Sequence, residues 1–436
     1  MMFRRNLFKA ILLPAVLLAA GSACSEKPVD SGQSASERAA AKRWNRTLVE
    51  SRALCDGVLY EHYSMDKIGG NVYILTADLS KGVLVDACWA DGLCPNPATS
   101  STNNGKQLRE TLSETLSRRL GEGVVGGING DYYHTRGGFT LSPHVEEGEP
   151  VFIGNPYELE REPAFVNGFT QYEDGTISFG SRSVSVKVAW NGSVTPVYSV
   201  NDTILALNPK TKDVAKRYQS ANIYTSRLKE KPFPGVQNKV STAARFLVCE
   251  ASAPLKVNAG PIASTVKEVL DHPSAPPFVS GPREWVLQLT GETALSYAGA
   301  KAGDPLTVEF SMAIGAEAVK PVRTHIGGKY LVLDNGARGA GMDDKQTGKR
   351  VSIIGADKEG RKVMLIASQA LLTIPDCSDF AAALGLWNAI RLDGGGSTEM
   401  AVAGASGVEI VCESSDSAGP ERSNMNYIHL RSKQQL

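Results

Sequence analysis

WNAIRLDGGGSTEM, residues Trp387 to Met400, is the stretch on which the reading of this chain turns. An apolar segment (Ala389, Ile390, Leu392) runs into Asp393, then three glycines, then Ser397 and Thr398. This pattern predicts a buried strand over 388–392 that ends in an acid and a glycine-rich turn. Such a strand fixes a carboxylate, and the glycines let a ligand come close to backbone N–H groups. Three consecutive glycines cost conformational entropy, and a plain turn needs only one or two. The competing reading is a tight turn with a capping serine. No Gly-Lys-Ser/Thr follows, so the motif is not a nucleotide P-loop.

A second stretch, GGINGDYYHTRGGF from Gly126 to Phe139, has the same design. The apolar run Val124, Val125, Ile128 ends at Asn129, Gly130 and Asp131, followed by Tyr132 and Tyr133. Together the two motifs resemble the phosphodiester glycosidase family. Asn129 to Tyr133 match its Asn-Gly-Asp-aromatic-aromatic motif, and Leu392 to Thr398 match its Leu-Asp-Gly-Gly-Gly-Ser-Thr without a change. Looser likenesses follow in order: Leu331 to Gly336, Lys349 to Gly355, Asp357 to Ile366, and Phe380 to Gly385. Ser417 to Asn426 resembles the closing Gly-x-x-Arg-x-x-x-Asn, which puts Arg422 and Asn426 in its named places. The likeness covers roughly residues 120 to 430. Ser368-Gln369 departs from the acidic-Gly turn that relatives often carry there.

The resemblance implies hydrolysis of a sugar-1-phosphodiester, releasing a sugar and a phosphomonoester. A cation-like transition state at the sugar needs a carboxylate. The phosphate leaving group needs little protonation but does need N–H groups or cations for its charge. On this reading Asp393 is the nucleophile or electrostatic stabiliser, and Asp131 the general acid/base partner. Gly394, Gly395, Gly396, Ser397 and Thr398 hold phosphate or sugar hydroxyls. Arg350 and Arg422 bind phosphate bidentately. Arg245, in the apolar run AARFLVCE, is a weaker candidate that alternation can equally turn to solvent. Asn129 and Asn426 bind sugar hydroxyls or orient the acids. Tyr132 and Tyr133 either stack on a sugar or belong to the core. The bland alternatives are an Asx-turn at each aspartate and a structural ion pair at each arginine.

The N-terminus reads as an export signal: Arg4, Arg5 and Lys9, a short apolar stretch from Ala10 to Ala20 broken by Pro14, then Gly21, Ser22, Ala23 and Cys24. It is short for a membrane span. Small residues before Cys24 predict a bacterial lipoprotein anchored there, in the periplasm or at the cell surface. Gly21 stands where Leu is usual, so ordinary cleavage nearby is the alternative. Residues 24–43 read as a polar tether and 44–436 as the phosphodiester glycosidase-like domain. Removing the three signal-region cations leaves 43 basic against 46 acidic residues. With no basic tail or stripe, nucleic acid is not the expected partner; a phosphorylated glycan is.

Six further cysteines (Cys55, Cys88, Cys94, Cys249, Cys377, Cys412) permit disulfides in an oxidising compartment, with Cys88 and Cys94 spaced to close a small loop. Buried free thiols are the alternative. No Cys-x-x-Cys or His-x-x-x-His spacing suggests zinc, and no cofactor is required, though a divalent cation bridging Asp131, Asp393 and phosphate is left open.

Alternating apolar segments dominate the rest, with hairpin turns at Asp174-Gly175 and Asn191-Gly192. Helices are predicted over 108–120, 294–300 and 380–385. The expected fold is α+β: a large mixed, mostly antiparallel sheet with a few packed helices, two related halves facing one cleft. Two other functions compete with the hydrolase. One is a non-catalytic glycan-binding lipoprotein, and the other a phosphodiesterase that cuts P–O instead of C–O.

Overall fold

Long runs of alternating burial set the architecture. The computed structural model describes residues 43–94, 109–134, 139–154, 166–202, 221–228, 245–271, 277–315, 319–340, 342, 347–415 and 419–433. The expected signal, tether and Cys24 anchor lie outside them, apart from Arg43. Pro305–Ile314 alternates without a break between buried and half-buried or exposed, and Ile177–Trp190 continues as one strand for fourteen residues. Period-2 segments of this length bury one face only if they wrap around it.

They do so in a closed seven-stranded barrel. Its order is Ser193–Val200, Ala221–Thr225, Glu284–Leu289, Arg245–Ala251, Ile262–Asp271, Pro305–Ile314 and Ile177–Trp190, which pairs back to Ser193–Val200. Val186, Val188, Leu247, Trp285, Leu287 and Phe310 belong to the core cluster built from these strands. The first two strands of that order pair in parallel, and the other barrel pairs are antiparallel. The Asn191-Gly192 turn has φ of 48° and 79°, the left-handed pair a two-residue hairpin needs.

This overturns the α+β expectation. Among the described residues the protein is mostly β, 56% strand against 12% helix, and no helical layer packs on a sheet there. The described α-helices are Leu112–Arg119, Gly291–Ser296 and Ile374–Ala383. The middle one lies a few residues before the predicted 294–300. The sequence reading underweighted closure: alternation shows that a strand has two faces, not that its sheet's edges meet.

Two further sheets carry the motifs. A five-stranded sheet has the order Gly407–Cys412, Met400–Gly404, Val124–Asn129, Asn426–Ser432, Val83–Trp89. An eight-stranded sheet includes Lys362–Leu372, Lys349–Ala356, Asn388–Arg391 and Tyr330–Asp334 as neighbours in that order. They share one core, in which Val125, Ile128, Met400 and Ile428 from the first pack with Leu75, Ile354, Leu365 and Ile390 from the second. Burying each such side chain stabilises the pairing by roughly 1.5–3 kcal/mol. Val124–Asn129 ends before Asp131 and Asn388–Arg391 ends before Asp393, so this packing sets the two acidic turns side by side. Each strand follows a helix with a reciprocal N-terminal cap, Thr111 with Glu114 and Thr373 with Asp376.

The six described cysteines are unpaired. The Cys88–Cys94 loop does not form because the two thiols belong to different core clusters, with Cys94 Sγ donating to Val151 O at 3.3 Å. Burial pushes the Cys88 thiol up to about 12, which leaves it a neutral apolar filler. Among the described residues, no helix is long and apolar enough to cross a membrane.

Candidate active site

The two acidic turns touch through their backbones. Asp393 N–H donates to Gly130 O at 3.0 Å, and Asn129 Nδ2 donates to Asp393 O at 2.9 Å. Asn129 is buried, and its Oδ1 accepts from Ser352 Oγ at 2.5 Å and from Glu399 N–H at 3.3 Å. Its side chain therefore serves the frame: it ties the strand Val124–Asn129 to both ends of the triple-glycine turn. Gly130 is required here by contact, since a Cβ would lie 2.4 Å from Asn426 Oδ1. Asn426 is also buried, with Oδ1 accepting Asp131 N–H at 2.9 Å and Nδ2 lying 3.3 Å from His144 Nδ1.

Asp131 is buried at the centre of this frame. One carboxylate oxygen accepts Tyr132 N–H at 2.7 Å, and the other accepts Ser142 N–H at 3.1 Å. Burial dominates its titration and pushes it up to about 7, against the pull of the Ser142 N–H and the cation Arg182, with Asp393 adding repulsion. Arg182 is itself buried and comes from the long strand shared with the barrel; burial lowers it to about 10. Asp393 is also raised by burial, against the Ser397 hydroxyl, the Gly394 N–H, Arg422 and Arg391. Two carboxyls that feel each other, one poised near neutrality, have the properties an acid/base pair requires.

The triple-glycine turn closes the site on one side. Gly394 N–H donates to Asp393 Oδ1 at 2.8 Å, and Gly395–Ser397 forms a single 3-10 turn with Gly395 at φ 65°. Gly394 packs so closely on Arg350 O that a Cβ would sit 2.7 Å from it, and a Cβ on Gly396 would sit 3.0 Å from Arg422 Nη1. The Ser397 and Thr398 hydroxyls are buried; the Ser397 hydroxyl lies beside the Asp393 carboxyl, and Thr398 Oγ1 meets no protein partner. Asp393 to Gly396, Tyr132 and Arg422 are partly exposed, and through them the site meets solvent.

The predicted residues thus divide. Asp131, Asp393, Asn129, Asn426, Gly394, Gly395, Gly396, Ser397, Thr398 and Arg422 are brought together. Arg350 contributes its backbone to the Gly394 contact, while its guanidinium donates to Glu413 O at 2.9 Å. Arg245 is elsewhere: on its barrel strand it donates to Ala298 O and Ala300 O in the turn after the helix Gly291–Ser296, with Asp271 at 3.6 Å. The reading also missed members. Arg391, within the apolar strand, is buried and contributes positive charge at Asp393 and Tyr132. A lone Arg inside WNAIRL was the available signal. Glu399 is fully buried and pushed up to about 8, chiefly by burial; it follows Thr398 directly, where the motif reading stopped. Arg182 lies far off in sequence and gave no signal. Tyr133 is a buried aromatic whose hydroxyl accepts from Arg109 Nη1 at 3.0 Å.

Among the described residues, no group of three His, Cys, Asp or Glu is placed to hold a metal ion. A cavity of about 670 Å³ opens on the barrel beside Trp190, Ser264 and Arg283, and none of its lining belongs to the two motifs.

Comparison with known proteins bears on both fold and site. A hypothetical protein from Synechocystis is similar over 89% of this chain and 64% of its own, at 16% identity and a TM-score of 0.59. This chain therefore spans less than two thirds of that protein. A protein of Burkholderia pseudomallei K96243 is similar over 83% of this chain and 74% of its own, at 18% identity and a TM-score of 0.55. Both speak to the fold alone. The zebrafish N-acetylglucosamine-1-phosphodiester alpha-N-acetylglucosaminidase catalytic domain, auto-inhibited by its pro-peptide, aligns over 89% of this chain and 83% of its own at 13% identity. Its TM-score of 0.35 is too low to carry an argument. No curated protein matches the sequence. Residues 251–431 match the phosphodiester glycosidase family model, a span that holds Asp393, the three glycines, Arg350, Arg422 and Asn426 and lies downstream of the Asn129–Tyr133 turn. Over that span, less than half of its length, the chain is similar to the phosphodiester glycosidase family.

Proposed function

We propose that this chain is an exported hydrolase that cleaves the bond between a sugar's anomeric carbon and the phosphate oxygen of a sugar-1-phosphodiester. The observation that carries this reading is the junction of the two acidic turns, Asp393 N–H on Gly130 O, which sets Asp393 and Asp131 at one place. Asp393, at the partly exposed lip beside Arg422 and Arg391, is the carboxylate that faces the developing cation at the sugar. The phosphate leaves as a weak base, so no strong acid is needed on that side. The Gly395–Ser397 turn, the Ser397 and Thr398 hydroxyls and the Arg422 guanidinium supply donors for its charge. Asp131, titrating near neutrality, takes the proton from the water that completes hydrolysis.

Export and lipid anchoring at Cys24 remain part of this proposal and rest on residues 1–24 alone. The test is a panel of sugar-1-phosphodiesters assayed with wild-type protein and Asp393→Asn. Turnover by the wild type, with loss of turnover but retained ligand binding in the variant, supports the reading. Equal binding by both with no turnover by either supports a glycan-binding protein instead. In ¹⁸O-labelled water, label entering the sugar indicates C–O cleavage, and label entering the phosphate overturns it.

A further inference from the structure

Arg422 sits on a short loop outside every sheet, yet its guanidinium is placed within contact distance of Gly396. Something must hold that loop against the turn. One end is tied to the helix Leu112–Arg119: the Glu421 carboxylate accepts Ser113 N–H at 2.8 Å and Ser113 Oγ–H at 2.5 Å. The other end is tied by Asn424 N–H, which donates to Glu110 O at 3.0 Å and lies 3.1 Å from the Tyr427 hydroxyl. Neither tie reaches the triple-glycine motif. Ser414 reaches it from Pro420, with its N–H donating to Pro420 O at 2.8 Å and its hydroxyl to Gly396 O, and Glu399 reaches it from Arg422 itself. Its Oε2 accepts the Arg422 backbone N–H at 3.1 Å, and its Oε1 accepts Asn424 Nδ2–H at 2.8 Å. Its own N–H donates to Asn129 Oδ1.

We infer that Glu399 is a positioning residue: its carboxyl sets the register between the Arg422 loop and the triple-glycine turn, and so determines where the guanidinium meets an anion. The anion is phosphate, so this inference rests on the phosphodiester reading above. The geometry favours this over a role in folding alone for two reasons. The loop already has independent anchors on the helix and on Glu110. Both oxygens of Glu399 are used on this loop, one on Arg422 itself and one on Asn424, on either side of Ser423. In its ionised form a carboxyl accepts two N–H donors and holds two points of a loop at once, which an amide of the same shape cannot do, because one of its two heads is itself a donor.

The experiment measures inorganic phosphate binding by titration calorimetry with the full chain, alongside kcat and KM where turnover is found. Arg422→Gln is expected to abolish or strongly weaken phosphate binding. Glu399→Gln is expected to weaken it roughly tenfold, the equivalent of one hydrogen bond to a charged group. In the Arg422→Gln background the same change is expected to add nothing, because the only anion contact it controls is already gone. Asn424→Ala, which removes one arm, is expected to act in the same direction, and it serves if Glu399→Gln fails to fold. Additive losses, or phosphate affinity unchanged in Glu399→Gln and Asn424→Ala, overturn the inference. So does a wild-type protein that does not bind phosphate. Wild-type protein that binds phosphate with this pattern but hydrolyses no sugar-1-phosphodiester sinks the proposed activity and leaves the positioning role standing.

Discussion

The side-chain amide of Asn129 donates to the main-chain carbonyl of Asp393 at 2.9 Å, across 264 positions of sequence. One motif therefore holds the other by a single buried side chain. The same amide accepts from Ser352 and from Glu399 N–H, so both acceptor positions of its oxygen are taken by the protein.

Replacing Asn129 by Ala strands three buried partners at once. Each lost partner costs about 1–3 kcal/mol when no water replaces it. The variant is expected to unfold at clearly lower denaturant concentration than wild type, and any hydrolysis of a phosphodiester substrate is expected to fall with it. Equilibrium urea unfolding checks the first outcome. An unchanged midpoint would remove Asn129 from the frame.

Asp131 gives a pH dependence of definite sign. Its folded value, about 7, lies above the ordinary 3.8, so the folded protein keeps a proton that the unfolded chain releases. Stability contributed by this group is therefore complete below pH 4. It declines as pH rises from about 4 to 7 and is level above that. Asp131→Asn is expected to flatten this decline in thermal unfolding measured from pH 4 to 8. As the base of the proposed reaction, Asp131 also predicts that kcat/KM rises with pH to a plateau above about 7, a limb the Asn variant lacks.

Arg182 is the buried cation that draws Asp131 downward. Arg182→Gln is expected to move the Asp131 titration further up, and with it the acid limb of kcat/KM, by about one unit or more. A pH–rate profile decides this. A limb that stays in place would show that Arg182 serves the barrel rather than the acid.

Arg245 and Arg422 make a matched contrast. Arg245 bonds carbonyls of the turn after the helix Gly291–Ser296 and lies 3.6 Å from an exposed Asp271, so Arg245→Gln is expected to cost under about 1 kcal/mol and to leave turnover unchanged. Arg422→Gln is expected to lower kcat/KM by 10-fold or more, consistent with roughly 1.5–3 kcal/mol for a hydrogen bond to a charged group. Equal effects of the two would mean that the triple-glycine turn is not where phosphate binds.

Much of the site was legible because its parts are local. A strand ending in an acid and glycines reads directly from LDGGGST, and from ING followed by Asp131. What failed was long-range. Arg245 sits in an apolar strand like Arg391, and alternation alone cannot say which sheet a strand joins. Arg182 meets Asp131 only because the strand from Ile177 to Trp190 crosses from one sheet to another. The Cys88–Cys94 pairing looked reasonable by spacing, but the strand Val83–Trp89 carries Cys88 into one core and Cys94 falls in another. Barrel closure has no local signature: each of its seven strands looks like the strand of an open sheet.

That crossing strand has a consequence for how the molecule can change. Ile177–Ser181 pairs with Asn167–Gln171, and Arg182–Trp190 pairs with the barrel strand Leu306–Ile314. A single deleted residue between the two halves would turn Arg182 to the opposite face and expose the row of Val186 and Val188. Lengthening the Asn191-Gly192 tip would disturb neither. Natural or engineered variation should therefore accumulate at that tip and be all but forbidden ten residues earlier, and neither half can be cut away without taking a strand from the other.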